Sequence, residues 1–427
     1  MERLVVKNFL LLQDVDIEIK KYNFLLGPQA SGKSVLAKLL YFFHKIPQTI
    51  QANLDADVFK EQILDNIKER FKTIFPDNLW NNEVFEITYY LDDFSVKIGN
   101  KDAKLKSLDI IFCKKYSKVF DSILDIAKNE KIESRKKPLE YIIDNISKSD
   151  SPSNSSKINN FIQENKALNG FFGKSGSIFI PSSRCVYSLL ADKPATNSKT
   201  FSTDYFLNNF GELYESLKEF YEAFIVHNDM GKDFSIRAKK ILKGEYKYEN
   251  KTDYIIANDK KINVKYVSSG QQEVLPLIVI LGLYAIIRYQ GEAQKKIEDK
   301  VFFIEEPEAH LFPQAQVEIM SLLSLIGYES QMPFFITTHS PYLLSILNSF
   351  LFGANMIKNQ EISLQEFKNI TNGARPIYTE EVNAFTIVNG VSESLMDEDG
   401  VLIKSDMLDE ASMIVNNMFE SFFSKLD

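Results

Sequence analysis

The sequence predicts an α/β fold with a mixed or parallel sheet, antiparallel strands at its N-terminus and a helical insertion, and three features predict it. Residues 1–19 alternate between apolar and polar side chains, which is typical of strands with one buried face. Residues 22–26 read as a buried strand that ends in the apolar run Phe24-Leu25-Leu26, followed by a glycine-rich loop and then by apolar residues at helical spacing. Two more apolar runs, 301–304 and 334–336, end in polar side chains, as buried parallel strands do at their carboxyl ends.

The other elements follow from the same two periodicities. Helical spacing predicts helices at 35–46, ended by Pro47, at 48–73 and at 203–243. Strands are predicted at 85–91 and 94–98, joined by a turn at Asp92-Asp93, and at 177–180. The apolar stretch 274–287 is shorter than the roughly 20 residues that span a bilayer. It therefore predicts a buried helix, and no membrane partner is expected.

Composition is typical of a soluble globular protein, with 44% hydrophobic and 25% charged residues. A signal peptide pattern is missing from the first residues, and two cysteines cannot form a disulfide framework, so a cytoplasmic location is expected. The net charge of the whole chain is −8, but it is unevenly distributed. Residues 101–175 hold 14 Lys and 1 Arg against 10 acidic residues, so this segment has a net charge of +5 and the rest of the chain has −13. This predicts a helical, net basic insertion; a solvated helix pair without a partner fits equally well.

Residues 27–34 read GPQASGKS and fit the pattern G-x-x-x-x-G-K-[ST]. In such a loop, backbone N–H groups surround a polyphosphate, the lysine reaches the β- and γ-phosphates, and the hydroxyl binds Mg²⁺. A glycine turn without a ligand is the alternative, but a strand before the loop and a helix after it favour a phosphate site. The candidate nucleotide-binding residues are Gly27, Pro28, Gln29, Ala30, Ser31, Gly32, Lys33 and Ser34, with Ser34 also a magnesium ligand.

Three later segments add candidate residues. The stretch VSSGQQE at 267–273 precedes the predicted buried helix, so its N–H groups could bind a γ-phosphate, although Ser-Ser-Gly there is more often only a helix cap. Glu305 and Glu306 follow a buried strand, where one carboxylate can hold Mg²⁺ and the other can activate water; a solvated acidic turn is the alternative. His339 ends another strand and can donate a hydrogen bond to a γ-phosphate, whereas a lone histidine is more often structural.

Four motifs, taken in their order along the chain, resemble those of the ABC-type ATPases in the group that contains RecF, SMC and OLD proteins. These motifs are GPQASGKS, SSGQQE, FFIEEPEAHLFPQAQ and ITTHSPYLL. The chain is most similar to the stand-alone OLD-like ATPases, of the AAA family, in bacterial antiphage defence. This resemblance implies an ABC-type ATPase head of the P-loop NTPase class. The head would comprise an N-terminal part at 1–100, the insertion at 101–175, a C-terminal part at 176–360 and a hairpin-and-helix cap at 361–427.

The resemblance also implies a homodimer that holds ATP and Mg²⁺ between its two chains. The loop at 27–34 of one chain would face the signature residues of the other, which are Ser268, Ser269, Gly270 and Gln271. Ser34 and Glu305 would bind Mg²⁺, Glu306 would be the catalytic base and His339 the switch histidine. No glutamine follows the strand at 177–180, where the family has its Q-loop, so Arg184 and Ser182 are candidates for that role.

Two absences narrow the predicted function. Only 83 residues separate Arg184 from Ser268, too few for the long coiled-coil arms of SMC proteins, and no Toprim nuclease pattern follows His339. The leading hypothesis is a dimeric switch ATPase that senses a trigger and controls a separate effector in antiphage defence. The alternatives are a RecF-like repair ATPase that binds duplex DNA and a nucleotide-gated scaffold that hydrolyses ATP slowly. An ABC transporter subunit fits least well.

Overall fold

The computed structural model describes residues 1–55, 60–80, 83–100, 108–114, 166–189, 204–222, 229–289 and 300–404, with a few isolated residues between 117 and 125. The strands in this part of the chain are β1 (Glu2–Phe9), β2 (Leu12–Ile19), β3 (Tyr22–Leu26), β4 (Phe85–Leu91), β5 (Phe94–Asn100), β6 (Asp109–Phe112), β7 (Ile178–Ile180), β8 (Glu245–Glu249), β9 (Thr252–Ala257), β10 (Lys260–Asn263), β11 (Phe302–Glu305), β12 (Phe334–Thr338), β13 (Val382–Val388) and β14 (Val391–Ser394).

Eleven of these strands form one mixed sheet in the order β6-β5-β4-β1-β2-β14-β13-β3-β12-β11-β7. From β13 to β7 every neighbouring pair is parallel, whereas the pairs from β6 to β2 are antiparallel. The predicted α/β fold, with a mixed sheet and N-terminal antiparallel strands, is confirmed. Strands β8 to β10, which the sequence analysis did not predict, form a separate three-stranded antiparallel sheet.

The α-helices cover both faces of the large sheet. They are α1 (Lys33–Asp55), α2 (Lys60–Ile74), α3 (Lys166–Gly173), α4 (Cys185–Leu189), α5 (Tyr205–Leu217), α6 (Asp229–Leu242), α7 (Ser269–Tyr289), α8 (Pro313–Glu329), α9 (Pro341–Lys358) and α10 (Leu364–Ile370). The prediction that Pro47 ends the first helix was wrong, because Pro47 lies inside α1. A proline there removes one backbone hydrogen bond, but Ile46 and Ile50 on either side of it are buried, and their packing opposes that cost.

Two hydrophobic cores lie on opposite faces of the sheet. Along β3, Phe24 belongs to one core and Leu25 to the other, as the alternation of side chains along a strand requires. Helix α1 packs in the core that contains Leu25, whereas α7 packs in the core that contains Phe24. By length and composition alone, Ser269–Ile286 of α7 could cross a membrane, but 83% of this stretch is buried inside the protein. The predicted buried helix is therefore present.

The C-terminal hairpin lies in the middle of the large sheet. Strand β13 pairs in parallel with β3, from Val382 opposite Tyr22 to Thr386 opposite Leu26. The sequence analysis assigned this hairpin to a cap at 361–427, whereas in the structure it is part of the large sheet. Most of β13 is buried, and such a strand is stable between other strands rather than at a solvated surface. The helix predicted after the hairpin, within the cap at 361–427, and most of the basic insertion at 101–175 lie outside the described residues.

Candidate functional site

The parallel strands bring the predicted site residues to one edge of the sheet. Leu25 of β3 lies opposite Thr337 of β12, and Thr337 lies opposite Glu305 of β11. These three strands therefore end at the same level, and the loop at 27–34, Glu306 and His339 directly follow their ends. Ligands of open α/β sheets bind at this carboxyl edge, so the fold places the candidates where chemistry is expected.

The side chain of Lys33 lies inside its own loop. Its Nζ donates hydrogen bonds to the carbonyl oxygens of Gly27, at 2.7 Å, and Pro28, at 2.6 Å. Burial lowers the pKa of Lys33, while the charges of Glu306 and Glu308 act in the opposite direction. The loop thus surrounds a positive charge, and two carboxylates from the end of β11 are close enough to interact with it.

Gly32 has a backbone conformation and surroundings that favour glycine. Its φ is +100°, and a Cβ atom there would lie 2.7 Å from Cδ2 of Leu12. On the other side of the loop, the buried hydroxyl of Thr386 has no hydrogen-bond partner and would lie 3.1 Å from a Cβ at Gly27. The local sequence around Thr386 did not indicate that it lies near Gly27, because this closeness results from the pairing of β13 with β3. Ser34, in the first turn of α1, is exposed.

Glu305 fits the predicted role of a magnesium ligand. Its side chain is buried, and Oε2 accepts a hydrogen bond from the backbone N–H of Ser182 at 3.3 Å. Oε1 is also buried and has no hydrogen-bond partner. A bound cation or an ordered water would satisfy this oxygen. Within the described residues no group of three or more His, Cys, Asp or Glu side chains forms a metal site, so Glu305 and Ser34 would act together with phosphate oxygens, as is usual for Mg²⁺.

Glu306 occupies a left-handed backbone conformation, with φ +45°, which is uncommon for a residue with a side chain. Two contacts hold it there: its N–H donates to the carbonyl oxygen of Thr337 at 2.9 Å, and its carbonyl oxygen accepts from Nη2 of Arg184 at 3.0 Å. Its Oε1 lies 3.6 Å from Nε2 of His339. The two residues predicted as base and switch histidine therefore lie side by side, and Glu306 is partly exposed.

Arg184 is fully buried behind the acidic strand end. Nη1 donates to the carbonyl oxygens of Pro181 and Glu305, at 2.9 and 2.7 Å, and Nε donates to that of Glu273 at 3.0 Å. Burial lowers the pKa of Arg184, and neighbouring carboxylates, first that of Glu273, oppose the shift. Arg184 holds the backbone of the site, while the Ser182 N–H contacts the carboxylate of Glu305. That Arg184 or Ser182 takes the place of the Q-loop glutamine stays a prediction.

Glu308 is a site residue that the sequence analysis did not single out. Its buried Oε1 accepts hydrogen bonds from Oγ1 of Thr338, at 2.5 Å, and from the backbone N–H of His339, at 3.0 Å, while Oε2 has no partner. Burial raises the pKa of Glu308, and these hydrogen bonds oppose the rise. Its position, two residues after Glu306 on the same loop, was the available signal. Glu308 links the loop after β11 to the loop that carries His339.

The signature residues form a helix cap on α7. The side chain of Gln271 accepts hydrogen bonds from the N–H and the hydroxyl of Ser268, at 3.0 and 2.9 Å, and donates to the carbonyl oxygen of Leu242 at 2.6 Å. Ser268 and Ser269 are exposed, whereas Gly270 is buried. A Cβ at Gly270 would lie 2.7 Å from the carbonyl oxygen of His310, so the cap rests on the loop after β11. Among the described residues, no hydrogen bond or ion pair joins this cap to the loop at 27–34.

Comparison with known proteins identifies part of the chain. Residues 183–344 match the family model of the AAA ATPase domain. This segment is less than half of the chain; it contains the cap on α7, the acidic strand end and His339, but not the loop at 27–34. A search of curated proteins gave no match.

Solved ATPase heads show low overall similarity. The head domain of SMC bound to the C-terminal winged-helix domain of ScpA aligns with a TM-score of 0.45 and 10% identity, covering 92% of this chain and 95% of that chain. The Pyrococcus furiosus SMC head with an extended coiled coil gives 0.41 and 14%, covering 98% and 100%. The recombination mediator RecF gives 0.37 and 13%, covering 92% and 97%. At these scores, no conclusion about function follows.

Proposed function

We propose that this protein binds ATP with Mg²⁺ at the carboxyl edge of the sheet and hydrolyses it. The observation that carries the proposal is the meeting of Glu306, His339 and Lys33: Glu306 lies 3.6 Å from His339, and its charge acts on Lys33. A glycine-rich loop with a lysine, a carboxylate that can hold Mg²⁺ and a residue that can orient water are recurring parts of enzymes that transfer phosphoryl groups. The match of residues 183–344 to an AAA ATPase domain supports the same chemistry.

The residues of this chain would divide the chemistry as follows. The N–H groups of the loop at 27–34 would bind the phosphate oxygens, and Lys33 would exchange its loop carbonyl partners for those oxygens. Ser34 and the unpartnered Oε1 of Glu305 would hold Mg²⁺, which neutralises charge on the phosphates. Glu306 would orient the attacking water and accept its proton, and His339 would donate a hydrogen bond to the terminal phosphate.

We infer that the complete site forms between two copies of the chain. Three large side chains next to the site are exposed rather than packed: Tyr266 before the cap on α7, Phe312 after the acidic loop and Tyr342 after His339, with exposed fractions of 82%, 74% and 56%. Aromatic residues are enriched at protein–protein interfaces, and these exposed side chains support the inference. The exposed Ser268 and Ser269 would complete the phosphate site of the second copy.

The wider role that we propose is a nucleotide-controlled switch for a separate effector protein in antiphage defence, and the order of the motifs supports it. A duplex DNA-binding repair ATPase is the second candidate, because residues 101–175 carry a net charge of +5 in a chain of net charge −8. DNA binding through that segment would weaken steeply as the salt concentration rises.

The test compares the wild-type protein with Lys33→Ala and Glu306→Gln. Both substitutions should reduce ATP turnover by about a hundredfold or more, because each removes charge or proton transfer from the reaction. Only Glu306→Gln should still bind ATP tightly. The matched control is Glu361→Gln, which changes an exposed side chain far in sequence from the site residues and should keep full turnover. Full turnover by Lys33→Ala would overturn the proposed activity.

Native mass spectrometry of Glu306→Gln purified with ATP from its own host tests the assembly. A dimer or larger ring that carries a second protein would support control of an effector and would identify it. A dimer of this chain alone would favour the DNA-binding candidate or a scaffold. A monomer with ATP bound would contradict the two-chain site.

A further inference from the structure

A cavity of about 360 Å³ lies at the opposite end of the sheet from the site described above. Ser177, which directly precedes β7, and Lys300, which lies just before β11, place it at the amino ends of these strands. Helix α1 begins at the glycine-rich loop and supplies Tyr41, Lys45 and Gln48 to the cavity. Lys45 lies about 18 Å from Lys33 along this helix. The cavity is therefore separate from the nucleotide site.

Three cations line the cavity, and among the described residues that line it there is no Asp or Glu. Lys45 donates from Nζ to the carbonyl oxygen of Ser175 at 2.7 Å, and Arg70 donates from Nη1 to the carbonyl oxygen of Lys45 at 2.8 Å. Within the described part of the chain, Lys45, Arg70 and Lys300 form no ion pair with a carboxylate. Like charges that face one another without a counter-ion repel, and a bound anion relieves this repulsion.

The pKa of Lys45 is lowered by these surroundings. Burial, together with the positive charges of Arg70 and Lys300, lowers the pKa of Lys45 to about 7. Among the described residues, the phenols of Tyr41, Tyr205 and Tyr284 also line the cavity, and burial raises the pKa of Tyr41 and of Tyr284. An anion beside Lys45 would favour its charged form and would cause proton uptake near pH 7.

The remaining lining is aromatic and amide-bearing. The rings of Tyr41, Phe179 and Phe206 pack together, with centroids 4.3 to 5.5 Å apart. The ammonium groups of Lys45 and Lys300 lie over the rings of Tyr41 and Tyr284, at 5.2 and 5.1 Å. The side-chain amides of Gln48 and Asn209, both exposed, complete the wall. Because Tyr41, Phe179 and Phe206 are only 3 to 5% exposed, a base would contact the edges of these rings, and the amides can pair with base edges.

We propose that this cavity is a second nucleotide-binding site that takes a nucleoside monophosphate. The phosphate would lie against Lys45, Arg70 and Lys300, and the base against the aromatic wall. A volume of about 360 Å³ is at the lower end of the range for small-molecule sites, which suits a monophosphate. The inference does not depend on the proposed ATP hydrolysis, because none of these residues belongs to the other site.

A second cavity supplies the control. It has a similar volume, about 350 Å³, and is lined by Lys239 and Lys247 together with Glu222 and Glu245. Lys239 forms an ion pair with Glu245 at 2.9 Å, so its charge already has a partner. Lys239→Met therefore removes a cavity lysine without removing an unpaired cation.

The experiment is calorimetric titration of the full chain, as wild type and as Lys33→Ala, with AMP, GMP, CMP and UMP. At least one of these monophosphates should bind to Lys33→Ala, with one molecule per chain. Inorganic phosphate and the free nucleoside should each bind at least about tenfold more weakly than that monophosphate. Lys45→Met and Lys300→Met should each abolish this binding, whereas Lys239→Met should retain it. Titrations at pH 7 in two buffers of different ionisation enthalpy should show proton uptake in the wild-type cavity.

Three results would overturn the proposal. One is that no monophosphate binds to either the wild-type protein or Lys33→Ala. Another is that binding survives both Lys45→Met and Lys300→Met. A third is that inorganic phosphate binds as tightly as every monophosphate, which would remove any role for the aromatic wall. Testing the two lysine variants separately keeps the conclusion secure if one of them does not fold.

Discussion

Nη1 of Arg184 lies 2.7 Å from the carbonyl oxygen of Glu305 and fastens the carboxyl end of β11 to the segment that follows β7. The same guanidinium reaches the carbonyl oxygen of Glu306, whose backbone is left-handed. An uncommon backbone conformation persists only where the surrounding contacts impose it. The position of the proposed catalytic base thus depends on a buried cation that itself does not face the reactants.

Arg184→Met should destabilise the protein by about 3–5 kcal/mol, because it leaves Glu273 as a buried charge without its partner and removes hydrogen bonds to four carbonyl groups. Urea denaturation followed by circular dichroism measures the change. Arg3→Met is the matched control, since Arg3 and Asp16 form a pair that is well exposed and should contribute about 1 kcal/mol or less. Equal stabilities of the two variants would contradict the structural role of Arg184.

Gly270→Ala should reduce ATP turnover and destabilise the protein by about 1–3 kcal/mol, because the new Cβ would meet the backbone of His310 and push the cap on α7 away from the acidic loop. Turnover and urea denaturation of the same preparation test both effects. Gly170→Ala serves as control, since a Cβ there meets only Leu91 at an ordinary 3.6 Å. If Gly270→Ala behaves like Gly170→Ala, the cap and the loop are not in contact.

Glu308→Gln should change how stability depends on pH. Burial raises the pKa of Glu308 in the folded protein above its usual 4.5, so the folded state binds this proton more tightly than the unfolded state does. The wild-type protein therefore loses stability as pH rises from about 4.5 through the folded pKa, relative to the glutamine variant. Above that window the difference should stay constant. Urea denaturation in steps from pH 4 to pH 8 checks this, and parallel curves for the two proteins would contradict it.

Phe312→Ser should weaken the ATP-dependent dimer by about tenfold or more, because an exposed aromatic side chain at an interface contributes strongly to binding. Sedimentation of Phe312→Ser in the Glu306→Gln background, with ATP, measures the dissociation constant. Ile370→Ser is the control, since Ile370 is as exposed as Phe312, at 72% against 74%, but lies on α10. An unchanged dimer with Phe312→Ser, or equal weakening by both substitutions, would exclude this surface.

Local patterns predicted the parts of the site that are contiguous in the chain. The loop at 27–34 with its flanking strand and helix, the pair Glu305 and Glu306, and His339 after β12 were all visible, because their chemistry depends on neighbours a few residues away. The same reasoning wrongly predicted that the first helix ends at Pro47. Helix α1 continues beyond Pro47 because it packs against residues elsewhere in the chain.

The sequence by itself determined the glycine-rich loop, the α/β class and the order in which the candidate residues occur. Only the tertiary structure decided that β13 runs beside β3 and brings Thr386 to the loop, that Arg184 holds the acidic strand end, and that Lys45, Arg70 and Lys300 share one cavity. Each of these relationships joins residues far apart along the chain. Strand order and packing of distant side chains are set by burial of the whole core, which no local periodicity contains.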